Sequence, residues 1–289
     1  MISFIIAFAS KGDNLHDWKT TDSSMIIFST IMAIKNINKI IDIDKEIILV
    51  DNTNSFPDIK MPNLKIVKGI QYLTGDNLTD DIKRKYNIDD VVNLTMWVSN
   101  AFNVGIEHAK GEYIVLQHND VFYHQNLLPN LLNSLKTNEY VSADSKHLTL
   151  TGYLGNKDII DSLGIDFEIG HEFGGYIKQR EFGLADCYFF LCKKEFFNEY
   201  SVDWGYGDTN HGATIKCLIE GKSFLHLRPF FDNKNYKTAP PNTYKFSGKD
   251  FITHLKGGFS EHSMSFKLHN NSIMLDNANN YLEKLVNSV

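Results

Sequence analysis

The chain has 289 residues, of which 43% are apolar, 12% aromatic and 22% charged, a balance that excludes disorder and leaves room for a sizeable core. Its 29 basic against 35 acidic side chains give a net charge of −6 with histidines neutral. That excludes a protein held to nucleic acid by a general basic field, so an anionic ligand needs a local site. Cys187, Cys192 and Cys217 form no CxxC pair and read as reduced, buried thiols of a cytoplasmic protein. Apolar runs such as 4–9 and 25–28 fall far short of the about 20 residues that span a bilayer, and no basic segment precedes the first. Neither a membrane span nor a signal peptide is expected.

Residues 2–9, ISFIIAFA, form a nearly continuous apolar run with β-branched members, the pattern of a buried parallel strand. Residues 20–38 carry apolar side chains at loosely helical spacing, and 46–50, EIILV, read as a second buried strand ending in the polar cluster Asp51-Asn-Thr-Asn. A shorter strand is expected at 64–67. Trp97, Ala101, Val104 and His108, flanked by Phe102, Ile106 and Ala109, predict a helix from Leu94 with a broad buried face. Lys110-Gly111 would stop it, with glycine as a left-handed cap. Residues 113–116 make a fourth strand, and the alternation predicts an open parallel sheet with helices on both faces.

The second half begins with a short helix at 126–135, followed by loops and mixed strands through 183. Residues 185–192 are strand-like, 195–200 form a helical turn, and 209–220 form a helix capped by Gly221. No internal repeat or proline-rich linker divides the chain, which reads as one compact α/β unit with a 1–125 half, a 126–265 half and a helical segment at 266–289.

Ligands of open α/β sheets bind beyond the carboxyl ends of the strands, where strand order reverses. Two polar clusters lie at such ends: Asp51-Asn-Thr-Asn, whose acid is either a turn former or a ligand group, and Gln117-His-Asn-Asp120. Residues i and i+2 of an extended segment point the same way, so His118 and Asp120 can converge on one ion. Mixed nitrogen and oxygen donors suit manganese better than magnesium. The other reading of Asp120 is a helix cap beside an incidental histidine.

The segments SFIIA at 3–7, EIILVDN at 46–52 and NAFNVGIEHAKGEYIVLQHND at 100–120 together resemble a GT-A glycosyltransferase of the family 2 kind. The likeness covers 1–125 as the nucleotide-sugar-binding half and continues through 184–260. It implies an open mixed, mainly parallel sheet flanked by helices. It also implies that Asp51 receives the donor's base, with Ala7, Ala9, Ser10 and Asn103 around the nucleotide, and that Asp120 stands for the metal-holding DxD aspartate. His118 stands where the family has aspartate, Phe102 where arginine is common, and Ala7 and Ala9 where proline and tyrosine occur.

Further on, Lys193-Lys-Glu-Phe196 and the stretch WGYGDTN at 204–210 resemble the family's motif before the catalytic base at a helix start. Asp208 has the chemistry of a general base, whereas a gap-free count from Gly221 places Asn210 at that position; Asp208 as a mere helix cap is the other reading. Trp204 is either an acceptor-stacking residue or a core residue. THLKGGFS at 253–260 resembles a His-x-x-Gly-Gly-x-Ser segment, which implies His254 as a third metal ligand, with an ordinary surface histidine as the alternative and His262 and His269 as substitutes. The resemblance implies a metal-dependent, inverting glycosyltransferase that uses manganese, or magnesium, to move sugar from a nucleotide-sugar donor, UDP-linked, to a saccharide or glycoconjugate acceptor. Two alternatives are a degenerate GT-A protein that binds without turnover and a nucleotidyltransferase.

Overall fold

The computed structural model describes residues 1–8, 23–69, 93–145, 147–149, 157–171, 174–178, 183–202, 210–228 and 242–254. Strands β1 (Ile2–Phe8), β2 (Lys45–Asp51), β3 (Leu64–Lys68) and β4 (Tyr113–Gln117) and helices α1 (Ser23–Ile40) and α2 (Asn93–His108) lie where the apolar patterns predict them. The strands pair in parallel in the order β3-β2-β1-β4. Strand order therefore reverses between β1 and β4, and Phe8, Asp51 and Gln117 stand at neighbouring carboxyl ends.

Both faces of this sheet are covered, which is why its strands are apolar without alternation. Ile2, Phe4, Ile6 and Phe8 pack with Ile34, Ile37 and Ile40 of α1 and with Ile41 just after it on one side. On the other, Ile5, Ile48 and Val50 pack with Ala101, Phe102 and Ile106 of α2. Phe102 is wholly buried there and serves the core. Gly111 departs from expectation. Left-handed glycines among the described residues are Gly164, Gly221 and Gly248, so Gly111 does not cap α2 that way. A Cβ at Gly111 would lie 2.6 Å from Ser3 Oγ and 2.7 Å from Ser3 N, and its N–H donates to Ser3 Oγ at 2.8 Å; close approach to β1 is what demands glycine.

After β4 come a short β5 (Val121–Tyr123), α3 (Leu128–Ser134) and β6 (Tyr140–Ser145). The 141–183 stretch, expected as loops and mixed strands, holds β7 (His147–Thr149), α4 (Lys157–Ser162), β8 (Phe167–His171) and β9 (Gly174–Ile177), the three strands forming a small separate sheet. Then follow β10 (Leu184–Lys193), a 3-10 helix (Lys194–Asn198), α5 (His211–Glu220), β11 (Leu225–Leu227), β12 (Asn242–Phe246) and β13 (Lys249–His254). Gly221 closes α5 with φ 66°, as its position predicts. The central sheet runs β11-β6-β10-β4-β1-β2-β3, with β10 antiparallel to both neighbours, so it is mixed and mainly parallel and draws strands from both halves of the chain. No helix among the described residues is long and apolar enough to cross a membrane. Cys192 and Cys217 are buried and free, as expected. The expected 266–289 helical segment lies outside the described residues.

A further sheet, β12-β13-β5, rests against α1, and its register sets His254 opposite Val121. The edge of β5 away from β13 is satisfied by a side chain: Asn36 of α1, fully buried, donates Nδ2 to Tyr123 O at 3.0 Å and accepts from Tyr123 N at 2.6 Å. Removing that amide leaves two buried backbone groups without partners. Asn36→Ala is expected to lower unfolding free energy by about 1–3 kcal/mol, read from urea denaturation. An unchanged midpoint would show that β5 does not depend on Asn36.

Candidate functional site

His118 and Asp120 lie in the turn between β4 and β5 rather than in the extended segment that the spacing assumes, and the turn itself brings them into one cluster. Their turn is held from three sides. Gln117 Oε1 accepts from the Tyr123 hydroxyl at 2.7 Å beneath it, Asn119 Nδ2 donates to Thr30 Oγ1 of α1 at 3.0 Å, and Asn36 fixes Tyr123. The buried stripe of α1 is thus broken by Thr30 and Asn36 where polar groups are needed to hold this loop. Polar residues among the apolar positions of α1 were the available sequence signal for this role.

His254 arrives from the far end of the described chain. As the last residue of β13, paired with Val121, it places Nε2 3.2 Å from Asp120 Oδ1 and is 2% exposed, so it is not a surface histidine. One ligand atom from each of His118, Asp120 and His254 falls within 4.8 Å of the others. Two donors each about 2.1 Å from one ion lie about 3–3.5 Å apart, which the His254–Asp120 separation already matches. Among the described residues, and apart from this close approach to Asp120, neither ring nitrogen of His254 makes a hydrogen bond. A buried imidazole in that condition, beside a buried carboxylate, fits a metal ligand.

Tyr188, which the sequence patterns did not single out, completes the cluster. Its ring stacks on His254 at 3.7 Å between centroids and meets His118 edge-on at 5.0 Å. A distortion of β10 aims it there: Asp186 pairs with Ala143 and Phe190 with Ser142, so four steps on β10 match one on β6. Ser142 Oγ holds the bulge, accepting from Asp186 N at 3.0 Å.

Asp51 is also buried, at the end of β2. Its Oδ1 accepts from Thr53 N at 2.9 Å and Thr53 Oγ1 at 3.1 Å, and Oδ2 from Phe56 N at 2.8 Å, so the carboxylate organises its own loop at the switch point. Asn103 engages both amide atoms with the backbone of Val202, each at 3.1 Å, tying α2 to the chain that leads into 203–209. Ala7 lies near the end of β1, opposite Val50 of β2. Ala9, Ser10, Trp204, Asp208, His262 and His269 lie outside the described residues. The residue capping α5 is Asn210, wholly buried at φ 73°, with neither amide atom hydrogen-bonded among the described residues, so the cap position does not fall on Asp208.

The family described as "Glycosyl transferase family 2" matches residues 90–200, a span that includes α2, β4, the His118–Asp120 turn and β10. The matched span is less than half of the chain; the mixed, mainly parallel central sheet flanked by helices is the architecture that the GT-A resemblance implies. No curated protein matches it in sequence. Among solved structures, the mannosyltransferase PcManGT from Pyrobaculum calidifontis, in complex with GDP-Man and Mn2+, is 13% identical with a TM-score of 0.45, covering 78% of this chain and 54% of that one. The bifunctional IspDF from Campylobacter jejuni is 11% identical with a TM-score of 0.44, covering 78% and 49%. Mouse xyloside xylosyltransferase 1, in its apo form, is 10% identical with a TM-score of 0.43, covering 78% and 84%. This chain spans about half the length of the first two.

Burial pushes the His118 imidazole down to about 4; the neighbouring His254 adds to the fall, and Asp120 opposes it. A histidine with that folded value and an ordinary unfolded value near 6.5 binds fewer protons when folded, so its neutral form contributes stability that is lost as pH falls from about 6.5 towards 4. In the metal-free protein, the His118 ring signals are expected to hold their neutral nitrogen shifts at pH 5.5 in heteronuclear NMR. A midpoint near 6.5 would contradict the enclosure described here.

Proposed function

We propose that the protein is a metal-dependent, inverting glycosyltransferase that moves a sugar from a nucleotide-diphosphate donor, UDP-linked, to a saccharide or glycoconjugate acceptor. The single observation that carries this reading is the convergence of His118 and Asp120, inside the family 2 segment, with His254 of β13 at the reversal of strand order. His118, Asp120 and His254 would hold a divalent cation, manganese in preference to magnesium. Such an ion supplies Lewis-acid stabilisation of the charge that grows on a departing nucleoside diphosphate.

The chain's own residues would do the rest. Asp51, braced by Thr53 and Phe56 N–H, has lone pairs left to accept from the donor's base, and Ala7, Ala9, Ser10 and Asn103 flank the nucleoside. Asp208 accepts the proton of the acceptor hydroxyl as that oxygen attacks the anomeric carbon from the side opposite the phosphate. Trp204 offers a stacking face to the acceptor.

Two substitutions separate these roles. Asp120→Ala is expected to abolish manganese-dependent UDP binding in calorimetry, whereas Asp208→Asn should keep that binding and lower transfer from a UDP-sugar by roughly 100-fold or more. Unchanged UDP and manganese affinity in Asp120→Ala would remove the metal assignment. Full transfer by Asp208→Asn would remove the base.

A further inference from the structure

We propose that His118 is the metal-selecting residue of this centre, tilting it away from magnesium and towards imidazole-accepting transition ions, from manganese to the more strongly held cobalt and zinc. The inference rests on the metal-site reading above and concerns which ion that site takes.

The donor set carries the argument. Among the described residues the cluster consists of two imidazoles and one carboxylate. Magnesium demands near-octahedral oxygen ligands and sheds water reluctantly, so a site with two nitrogen donors and one acid offers it little. Imidazole favours the later first-row ions, and affinity at such nitrogen-rich sites rises from manganese through cobalt, zinc lying near the top.

The two histidine rings are also held in orientation. His118 meets His254 edge-on at 5.4 Å between centroids and Tyr188 edge-on at 5.0 Å, while Tyr188 stacks on His254. Aromatic contacts of this kind orient flat rings, and among the described residues the cluster holds no second carboxylate. With a single acid, a bound divalent ion keeps a net charge of +1 towards whatever anion approaches, where two acids would cancel it. His118 is the point at which both donor type and charge can be changed by one side chain, because it stands in a turn and not in a paired strand.

The test is calorimetric titration of the metal-stripped full chain with magnesium, manganese, cobalt and zinc chlorides, without nucleotide, alongside visible spectroscopy of the cobalt form. Wild type is expected to bind cobalt and zinc at least about tenfold more tightly than magnesium. In His118→Asp the cobalt-to-magnesium affinity ratio should fall by about tenfold or more, with a shifted cobalt absorption band. His118→Asn, which stays neutral but replaces the ring nitrogen donor with an amide, should weaken cobalt without strengthening magnesium, separating the effect of donor type from that of added charge. Magnesium bound as tightly as cobalt in wild type, or a ratio unmoved by His118→Asp, overturns the selectivity while leaving the site intact. No binding of any ion overturns the site and the selectivity together.

Discussion

The antiparallel pairing of β5 with β13 is the constraint on which the site depends. It sets His254 opposite Val121, one residue beyond Asp120, and so converts a sequence separation of more than a hundred residues into a 3.2 Å contact. β5 has only three residues and lies at the edge of its sheet, where a strand so short has little pairing of its own. It is held because its other edge is capped by the Asn36 amide and because Phe122 and Tyr123 are wholly buried.

The rest of the fold serves to present that pairing at the right place. Parallel β1, β2 and β4 bring their carboxyl ends together, and α1 does double duty: its isoleucines fill one face of the sheet while Thr30 and Asn36 hold the β4–β5 turn. From the other half of the chain, antiparallel β10 reaches the end of β4, where its bulge carries Tyr188 onto His254. The net charge of −6 is not concentrated at this cluster, where a single buried acid, Asp120, stands beside two histidines among the described residues.

Legibility in the sequence followed the source of each element's stability. β1, β2 and β4 are largely buried apolar runs and α2 buries one apolar face, so local pattern announces them. β5 and β11 are three-residue strands fixed by partners distant in sequence, and local pattern carries little trace of them; β13 pairs with the adjacent β12, but its pairing with β5 is equally a long-range fact. Gly111 was legible as a stop but not for its reason, since a close approach to Ser3 is a tertiary fact. His118 and Asp120 were legible as a pair, although the turn and not an extended segment brings them together. His254 was legible only through resemblance. Tyr188 could not be found, because a three-residue register shift in β10 decides where its ring points.

The central claim is that residues from the β4–β5 turn and from the end of β13 form one metal centre. The most direct measurement is an anomalous difference map from crystals of the full chain loaded with manganese. The account predicts a single strong peak within bonding distance of His118, Asp120 and His254 together. A peak that leaves out His254, or one lying elsewhere with this cluster vacant, would contradict it.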